Sequence, residues 1–376
     1  MSSIKHVCIC GGGNLGHAFA ATLGAQKDLV VNLLSQRPEK WHHNVVGTDE
    51  HNINVNGVLD KISNNPQDVI PHADLILVAL PCFAREKLLI DIAPYISENS
   101  IIGCLPGNGN FELLAKQYLP TKSKNIGIFG SLRIPFICRI EAYGQKVQFH
   151  KKKEIQLIAS SQHIYQILKV FFAEQLNILI TPLNNFLELV LSNSNPILHP
   201  ARLYDLFSNP KYSYNRNIPF YEEWTKHASE VLIKMDLELF SLINAIPTSL
   251  TGIKSLLVHY ESHNADSLTN KIRSIKAFKG ILSPMVQNGE RWTADYQSRY
   301  FTEDIPYGLL LIKSLMEIYQ IKSPWIDKII FLTQSFLNLE LITEDGKLGK
   351  DATRFPTFQK YGISTSRQVE DLFNLN

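Results

Sequence analysis

A glycine-rich turn near the N-terminus constrains the fold more than any other feature. The apolar residues 4–10 lead directly into Gly11, Gly13 and Gly16, and a helix-like stretch, residues 17–23, follows. In a dinucleotide-binding turn the first glycine permits the tight bend, the second lets a pyrophosphate approach the backbone, and the third lets helix and strand pack closely. Free N–H groups at the helix N-terminus then favour the phosphates. The residues expected to bind a nicotinamide dinucleotide here are Gly11, Gly13, Asn14, Leu15 and Gly16.

The end of the second predicted strand indicates which dinucleotide is bound. Residues 29–34 form an apolar run that ends in Ser35, Gln36 and Arg37. An NAD-binding fold usually carries an acid at this point, to bind the ribose 2′-hydroxyl, and no acid is present. A guanidinium can instead grip a 2′-phosphate with two hydrogen bonds. Ser35 and Arg37 therefore favour NADP over NAD, while the alternative is that Arg37 is a solvated loop charge beside Pro38.

The remainder of the first half reads as alternating strands and helices. Residues 74–81 and 100–106 are apolar runs that end at proline, a pattern typical of buried parallel strands. Ligands of such sheets bind beyond the carboxyl ends of the strands, so Pro81 and Asn108 are expected near the nicotinamide. Residues 139–149 indicate a β-hairpin that turns near Gly144. We expect a dinucleotide-binding domain over residues 1–184.

The second half is predicted to be a helical domain over residues 185–376, with a loosely attached tail from Glu344. Its amphipathic segments are residues 187–192, 221–245, 267–279, 307–319 and 326–339. Two places interrupt this pattern. Two prolines are expected to stop a helix near residue 196 and to leave His199 extended before Pro200. Around residue 304, Asp304 fits a helix N-cap and Arg299 could pair with Glu303.

Composition and charge exclude several classes of protein. The chain has 37 Lys and Arg against 35 Asp and Glu, so it lacks the large positive electrostatic field that binds a nucleic-acid backbone or an anionic membrane. No apolar stretch reaches the ~18 residues of a membrane span, and the first residues do not resemble a signal peptide. Five cysteines without Cys-x-x-Cys spacing fit a reduced compartment and no zinc site. We expect a cytoplasmic, metal-free chain.

Three stretches resemble the octopine/nopaline dehydrogenase family, the opine dehydrogenases, and the resemblance runs through both predicted domains. Residues 135–139 with Gly144 are similar to the family's Pro-Trp-x-Cys-Arg segment, although Phe136 stands where Trp is usual. The other two are Asn-Pro-Ile-Leu-His-Pro at 195–200 and Arg-Tyr-Phe-Thr-Glu-Asp-Ile-Pro-Tyr-Gly-Leu at 299–309. The resemblance implies an α/β Rossmann-type N-terminal domain followed by a mainly α-helical C-terminal domain.

The resemblance also implies an activity and roles for individual residues. The activity is NAD(P)H-dependent reductive condensation of an amino acid with a 2-oxo acid, with His199 as general acid/base, Asp304 as its partner and Arg299 as a carboxylate anchor. Elementary chemistry agrees, because a histidine can protonate the hydroxyl that leaves as water during imine formation, and an arginine fork matches a carboxylate. Cys138 and Asn108 would also bind substrate. The expected partners are small molecules, and a homodimer is left open.

Two other functions stay open at this point. A reductase of a 2-oxo or phosphorylated substrate, similar to glycerol-phosphate and ketopantoate reductases, would need a catalytic lysine in the helical domain. Its candidates are Lys226, Lys234 and Lys254. A non-catalytic NADP-binding sensor would need only the glycine turn. Neither alternative explains why the histidine, arginine and aspartate of the two C-terminal motifs occur together.

Overall fold

The computed structural model describes residues 4–120, 125–209, 212–248, 250 and 252–373. The chain divides into two compact units, Met1–Leu189 and Val190–Asn376. The division expected from the sequence follows residue 184, whereas the observed one falls inside the short helix Leu187–Leu191. Within the described residues, no helix is long and apolar enough to cross a bilayer.

Unit 1 contains two β-sheets. Its strands are β1 (His6–Cys10), β2 (Val30–Leu34), β3 (Asn44–Thr48), β4 (Asn54–Val58), β5 (Ile62–Ser63), β6 (Leu75–Val78), β7 (Ile101–Cys104), β8 (Gly127–Ser131), β9 (Phe136–Ala142), β10 (Lys146–Lys151), β11 (Glu154–Ala159) and β12 (Leu179–Pro182). The larger sheet has eight strands in the order β12-β11-β8-β7-β6-β1-β2-β5. Neighbours are parallel except β11 and β8. The apolar runs ending at proline form β6 and β7, which are buried along their whole length, so the prediction of a Rossmann-type parallel sheet is confirmed.

The smaller sheet has four strands in the order β4-β3-β10-β9. The predicted hairpin is present as antiparallel β9 and β10, and Gly144 in its turn has a φ of +73°, which favours glycine. Strands β3 and β4 were not predicted. Their residues lack a clear apolar alternation, since β4 reads Asn-Val-Asn-Gly-Val and is mostly exposed.

Small residues let the first helix of unit 1 pack closely between the sheets. The helices of this unit are α1 (Asn14–Leu23), α2 (Pro66–Val69), α3 (Cys82–Ile92), α4 (Phe111–Tyr118) and α5 (Gln162–Leu176), and α6 (Leu187–Leu191) spans the boundary. Helix α1 is buried from Gly16 to Leu23. A Cβ added to Gly57 of β4 would overlap the Ala20 carbonyl oxygen, and one added to Gly47 of β3 would lie 2.8 Å from the Ala21 Cβ. Glycine on the strands and alanine on the helix therefore allow backbone-to-backbone packing.

Unit 2 is mainly helical, as predicted. Its elements are α7 (Asn195–Phe207), α8 (Lys226–Ala245), α9 (Leu256–His259), α10 (Ala265–Ser274), the hairpin β13 (Met285–Asn288) and β14 (Arg291–Ala294), α11 (Arg299–Thr302), a π-helical turn (Ile305–Leu309), α12 (Leu310–Ile318), α13 (Pro324–Leu337) and α14 (Ser366–Phe373). Short 3-10 turns lie at Pro38–Lys40, Lys276–Phe278, Ala352–Arg354 and Gln359–Tyr361. The predicted helix start at residue 221 is wrong: the Thr225 side chain caps α8, which begins at Lys226.

The expectation of a loosely attached C-terminal segment is also wrong. Ala352, Phe358 and Val369 are fully buried. The Gln359 side-chain amide donates to the Ser314 carbonyl oxygen of α12 at 2.9 Å. Burial of scattered apolar residues, which show no periodic pattern in the sequence, attaches this segment to the helical unit.

Candidate functional site

The glycine turn of unit 1 has the geometry that a dinucleotide phosphate needs. Gly11 has a φ of +129°, and a Cβ there would lie 2.6 Å from the Ala79 carbonyl oxygen. A Cβ on Gly16 would overlap the carbonyl oxygen of Gly11, whereas one on Gly13 would meet nothing within 4 Å. Gly13 is also the N-cap of α1, and no side chain caps this helix. The exposed side of the turn therefore offers space and first-turn N–H groups, including that of Leu15, to an anion.

A buried histidine that was not predicted holds this turn against the β9–β10 hairpin. The Gly144 N–H donates to Nε2 of His17 at 2.7 Å, so Nδ1 carries the proton and donates to the Gly13 carbonyl oxygen at 2.9 Å. Burial lowers the pKa of His17, which keeps the ring neutral near pH 7. The Asn14 side-chain oxygen accepts the Ile140 N–H at 2.9 Å. The side chain of Asn14 thus fixes the turn, and its contribution to a ligand would come from the backbone.

The strand-end residues predicted to select the cofactor lie beside an aromatic pair. Ser35 is buried, and its hydroxyl accepts the backbone N–H of Arg37 at 3.4 Å. The exposed guanidinium of Arg37 lies over the ring of Tyr143, 4.8 Å from the centroid. The indole N–H of Trp41 is buried without a hydrogen-bond partner. Arg37 is therefore positioned by Tyr143.

The loops after β6 and β7, which carry Pro81 and Asn108, are joined by a buried arginine. Arg85 of α3 is 2% exposed, and it donates to the Leu80 carbonyl oxygen at 3.1 Å and to the Asn108 side-chain oxygen at 3.1 Å. It also donates to the Pro106 carbonyl oxygen at 3.2 Å. Pro81 itself is the N-cap of α3. Arg85 was missed because nothing in its local sequence distinguishes it from a surface arginine.

Cys138 lies elsewhere in unit 1, on β9 opposite Phe149 of β10. Burial raises the pKa of its thiol to about 11, so the group stays protonated at neutral pH. Within the described part of unit 1, Cys138 and Asn108 share no hydrogen bond. The structure therefore does not bring these two candidates for substrate binding into direct contact.

In unit 2, His199 lies on a helix, and the prediction of an extended residue before Pro200 is wrong. Pro196 occupies the first turn of α7, where the backbone N–H groups have no helical partner. Pro200 lies inside the same helix, where its ring nitrogen forfeits one backbone hydrogen bond. Pro196 therefore begins α7, and Pro200 lies within it, so neither proline ends a helix here.

The structure brings His199 and Asp304 into direct contact, although they are 105 residues apart in the chain. Nδ1 of His199 lies 2.7 Å from the Asp304 carboxylate, and Nε2 lies 2.8 Å from the Tyr221 hydroxyl. The His199 and Asp304 side chains are 11% and 22% exposed. Asp304 is at the N-cap position of the π-helical turn but caps nothing, since its side chain is directed to the imidazole. This pair has the geometry of an oriented general acid/base.

Arg299 lies one helical turn before Asp304. Its guanidinium pairs with the buried carboxylate of Glu303, as the sequence spacing suggested, while 71% of the arginine side chain stays exposed. Among the described residues, no group of His, Cys, Asp or Glu side chains is placed to hold a metal ion.

A glycine turn built for a dinucleotide and a helical unit with a paired histidine and aspartate define a nicotinamide-dependent oxidoreductase. Residues 182–337 match the family described as NAD/NADP octopine/nopaline dehydrogenase, alpha-helical domain, and residues 7–131 match ketopantoate reductase PanE/ApbA. The match over residues 182–337 confirms the resemblance to the octopine/nopaline dehydrogenase family found in the motifs.

Individual relatives are similar over nearly the full chain. An opine dehydrogenase of Haliotis discus hannai is 28% identical, with 96% of each chain covered. The octopine dehydrogenase of Pecten maximus is 25% identical over 96% of this chain and 97% of its own. A solved structure of octopine dehydrogenase with NADH and L-arginine superimposes with a TM-score of 0.86 over 97% of both chains, at 24% identity. At that identity the superposition shows a shared fold.

Proposed function

We propose that this chain is an opine dehydrogenase that uses NAD(P)H to condense an amino acid, or a related amine, reductively with a 2-oxo acid. The product is an N-(carboxyalkyl) amino acid. The observation that carries the proposal is the bonded pair His199–Asp304, one helical turn from the exposed Arg299, in a unit that matches the family's helical domain. The named relatives are opine and octopine dehydrogenases, which supports the same reaction class.

The glycine turn supports the binding of a nicotinamide dinucleotide. Gly11, Gly13 and Gly16 would hold the pyrophosphate, because the turn is open at Gly13 and the N-terminus of α1 has no side-chain cap. Ser35 and Arg37 would bind the 2′-phosphate of NADP, and we propose that NADP is the preferred cofactor. When bound, the reduced nicotinamide supplies the hydride that the imine accepts.

The side chains of unit 2 would bind the oxo-acid carboxylate and transfer protons during imine formation. Arg299 binds the carboxylate of the oxo acid through its planar fork. His199 protonates the carbinolamine hydroxyl, which leaves as water and yields the imine. Asp304 accepts a hydrogen bond from Nδ1–H and so holds the imidazole in one orientation.

The ketopantoate reductase match over residues 7–131 supports one alternative, a reductase that depends on a lysine. Its three candidate lysines give it no support. Lys226 pairs with Asp266 at the surface, Lys234 lies 4.2 Å from the ring centroid of Trp325, and Lys254 is exposed. A fourth lysine, Lys313, is buried but bonded to the side chains of Ser323 and Asp327.

A single assay tests the proposal against its alternatives. NADPH oxidation is measured with pyruvate or another 2-oxo acid, with and without a panel of amino acids and amines. The proposed function predicts oxidation that requires both substrates. Oxidation with the oxo acid alone would indicate the lysine-type reductase, and binding of NADPH without turnover would indicate a sensor.

The proposal also includes a cytoplasmic location and partners that are small molecules. All five cysteines are free thiols in the structure, as expected in a reducing compartment. A homodimer is the alternative to a monomer, and light scattering of the purified chain distinguishes the two.

A further inference from the structure

Both ring nitrogens of His199 are already engaged by the protein. Nδ1 bonds to the Asp304 carboxylate at 2.7 Å, so this nitrogen carries a proton that it donates. Nε2 of the neutral ring is then an acceptor, and the Tyr221 hydroxyl donates to it at 2.8 Å. The contact between Tyr221 and His199 is buried. A proton that moves between His199 and a substrate therefore has to pass the Tyr221 hydroxyl or displace it.

Displacement is opposed by the packing of the Tyr221 ring. The ring stacks on Phe278 with a centroid separation of 4.0 Å and an angle of 18°. It also lies parallel to Trp224, at 6.3 Å and 7°, and the residue is only 5% exposed. Rotation of Tyr221 away from His199 would lose these aromatic contacts.

A second tyrosine lies beside the same imidazole. The ring of Tyr300 packs against His199 with a centroid separation of 4.6 Å. Burial first, then the neighbouring Tyr300, raises the pKa of Tyr221 far above its ordinary value. Tyr221 therefore keeps its proton at neutral pH and can donate it.

We propose that Tyr221 is a catalytic residue through which His199 exchanges its proton with the reacting oxygen, so that Asp304, His199 and Tyr221 act as one relay. This inference rests on the proposed function. The neutral ring first takes a proton from the ammonium group of the amino acid: the Tyr221 O–H gives its proton to Nε2 while the Tyr221 oxygen accepts the ammonium proton. In the dehydration step, the imidazolium N–H then gives its proton to the tyrosine oxygen while the tyrosine O–H gives its own to the carbinolamine hydroxyl. The C–O bond breaks as water leaves, and the nitrogen lone pair forms the C=N bond. Nothing is oxidised or reduced, and the positive charge passes from imidazolium to iminium.

The kinetic test is the substitution Tyr221→Phe, which keeps the stacked ring and removes only the hydroxyl. We expect kcat to fall by at least about 100-fold, the lower end of the range for general acid–base catalysis, while both KM values stay within two-fold. Tyr165→Phe is the matched control, because Tyr165 is also buried and its hydroxyl donates to the Ile180 carbonyl oxygen in unit 1. That control should match wild type. An unchanged kcat in Tyr221→Phe, or a rise in KM alone, would overturn the relay.

A spectroscopic measurement separates this inference from the proposed function. In protein with 15N-labelled histidine rings, one Nε2 resonance should move in Tyr221→Phe, and the same ring should respond to Asp304→Asn. If wild type turned over no substrate pair, the proposed function would be refuted while the NMR comparison still tested the hydrogen bond. If no histidine resonance moved in Tyr221→Phe, the relay would be refuted even for an active enzyme.

Discussion

The hydrogen bond between His199 and Asp304 predicts how far substitution of each residue should lower kcat. Their hydrogen bond is 2.7 Å long, and its side chains are 11% and 22% exposed. A charge-assisted bond of this kind contributes about 1.5–3 kcal/mol. At about 1.4 kcal/mol per factor of ten, Asp304→Asn should lower kcat roughly 10–150-fold. Removal of the proton donor in His199→Ala should lower kcat by about 10²–10⁴.

The double variant is the decisive measurement. If Asp304 acts only through the imidazole, its substitution has nothing left to weaken once His199 is alanine, so the double variant should match His199→Ala within about three-fold. The assay is NADPH oxidation under saturating substrates, with thermal unfolding to confirm that each variant is folded. Asp266→Asn is a suitable control, because this aspartate forms an exposed pair with Lys226 in the same unit. Multiplicative losses in the double variant would refute the pairing.

Three further substitutions test other parts of the molecule. Arg37→Ala should weaken NADPH binding by about 1.5–3 kcal/mol and NADH binding little, as titration with each cofactor would show; equal weakening of both would contradict the assignment of the 2′-phosphate site. Arg299→Lys keeps the charge but loses the planar fork, so the KM of the oxo acid should rise more than that of the amino acid. A larger rise in the KM of the amino acid would show that Arg299 does not bind the oxo-acid carboxylate. Burial raises the pKa of Asp236 to about 6, above its ordinary value, so wild-type stability falls as the pH rises through that value. Asp236→Asn should therefore raise the free energy of unfolding at pH 7.5, by at most about 3 kcal/mol, with the gain absent near pH 4 in denaturant titrations.

The features that could be predicted from the sequence are those set by residues close to one another along the chain. A strand, a glycine turn and a helix follow one another within residues 4–23. The positive φ of Gly11 and the close approach of Gly16 to the Gly11 carbonyl oxygen are local to the turn. The apolar runs that became β6 and β7 are long enough to indicate burial on both faces. Helical periodicity identified unit 2, and contiguous motifs indicated the resemblance to the opine dehydrogenases.

Tertiary structure decided which side chains meet. His199 contacts Asp304 across 105 residues and Tyr221 across 22, and no pattern in either segment encodes the other. The same holds for Arg85, which joins loops that follow two different strands, and for strand β4, whose pairing with β3 compensates for a weak apolar pattern. The local sequence also gave the wrong conformation around Pro200, because burial of α7, which includes this proline, outweighs the backbone bond that the proline cannot make. Hydrophobic periodicity in the sequence indicates which face of a helix or strand is buried. A pair such as His199 and Asp304 forms only when separate elements pack against each other.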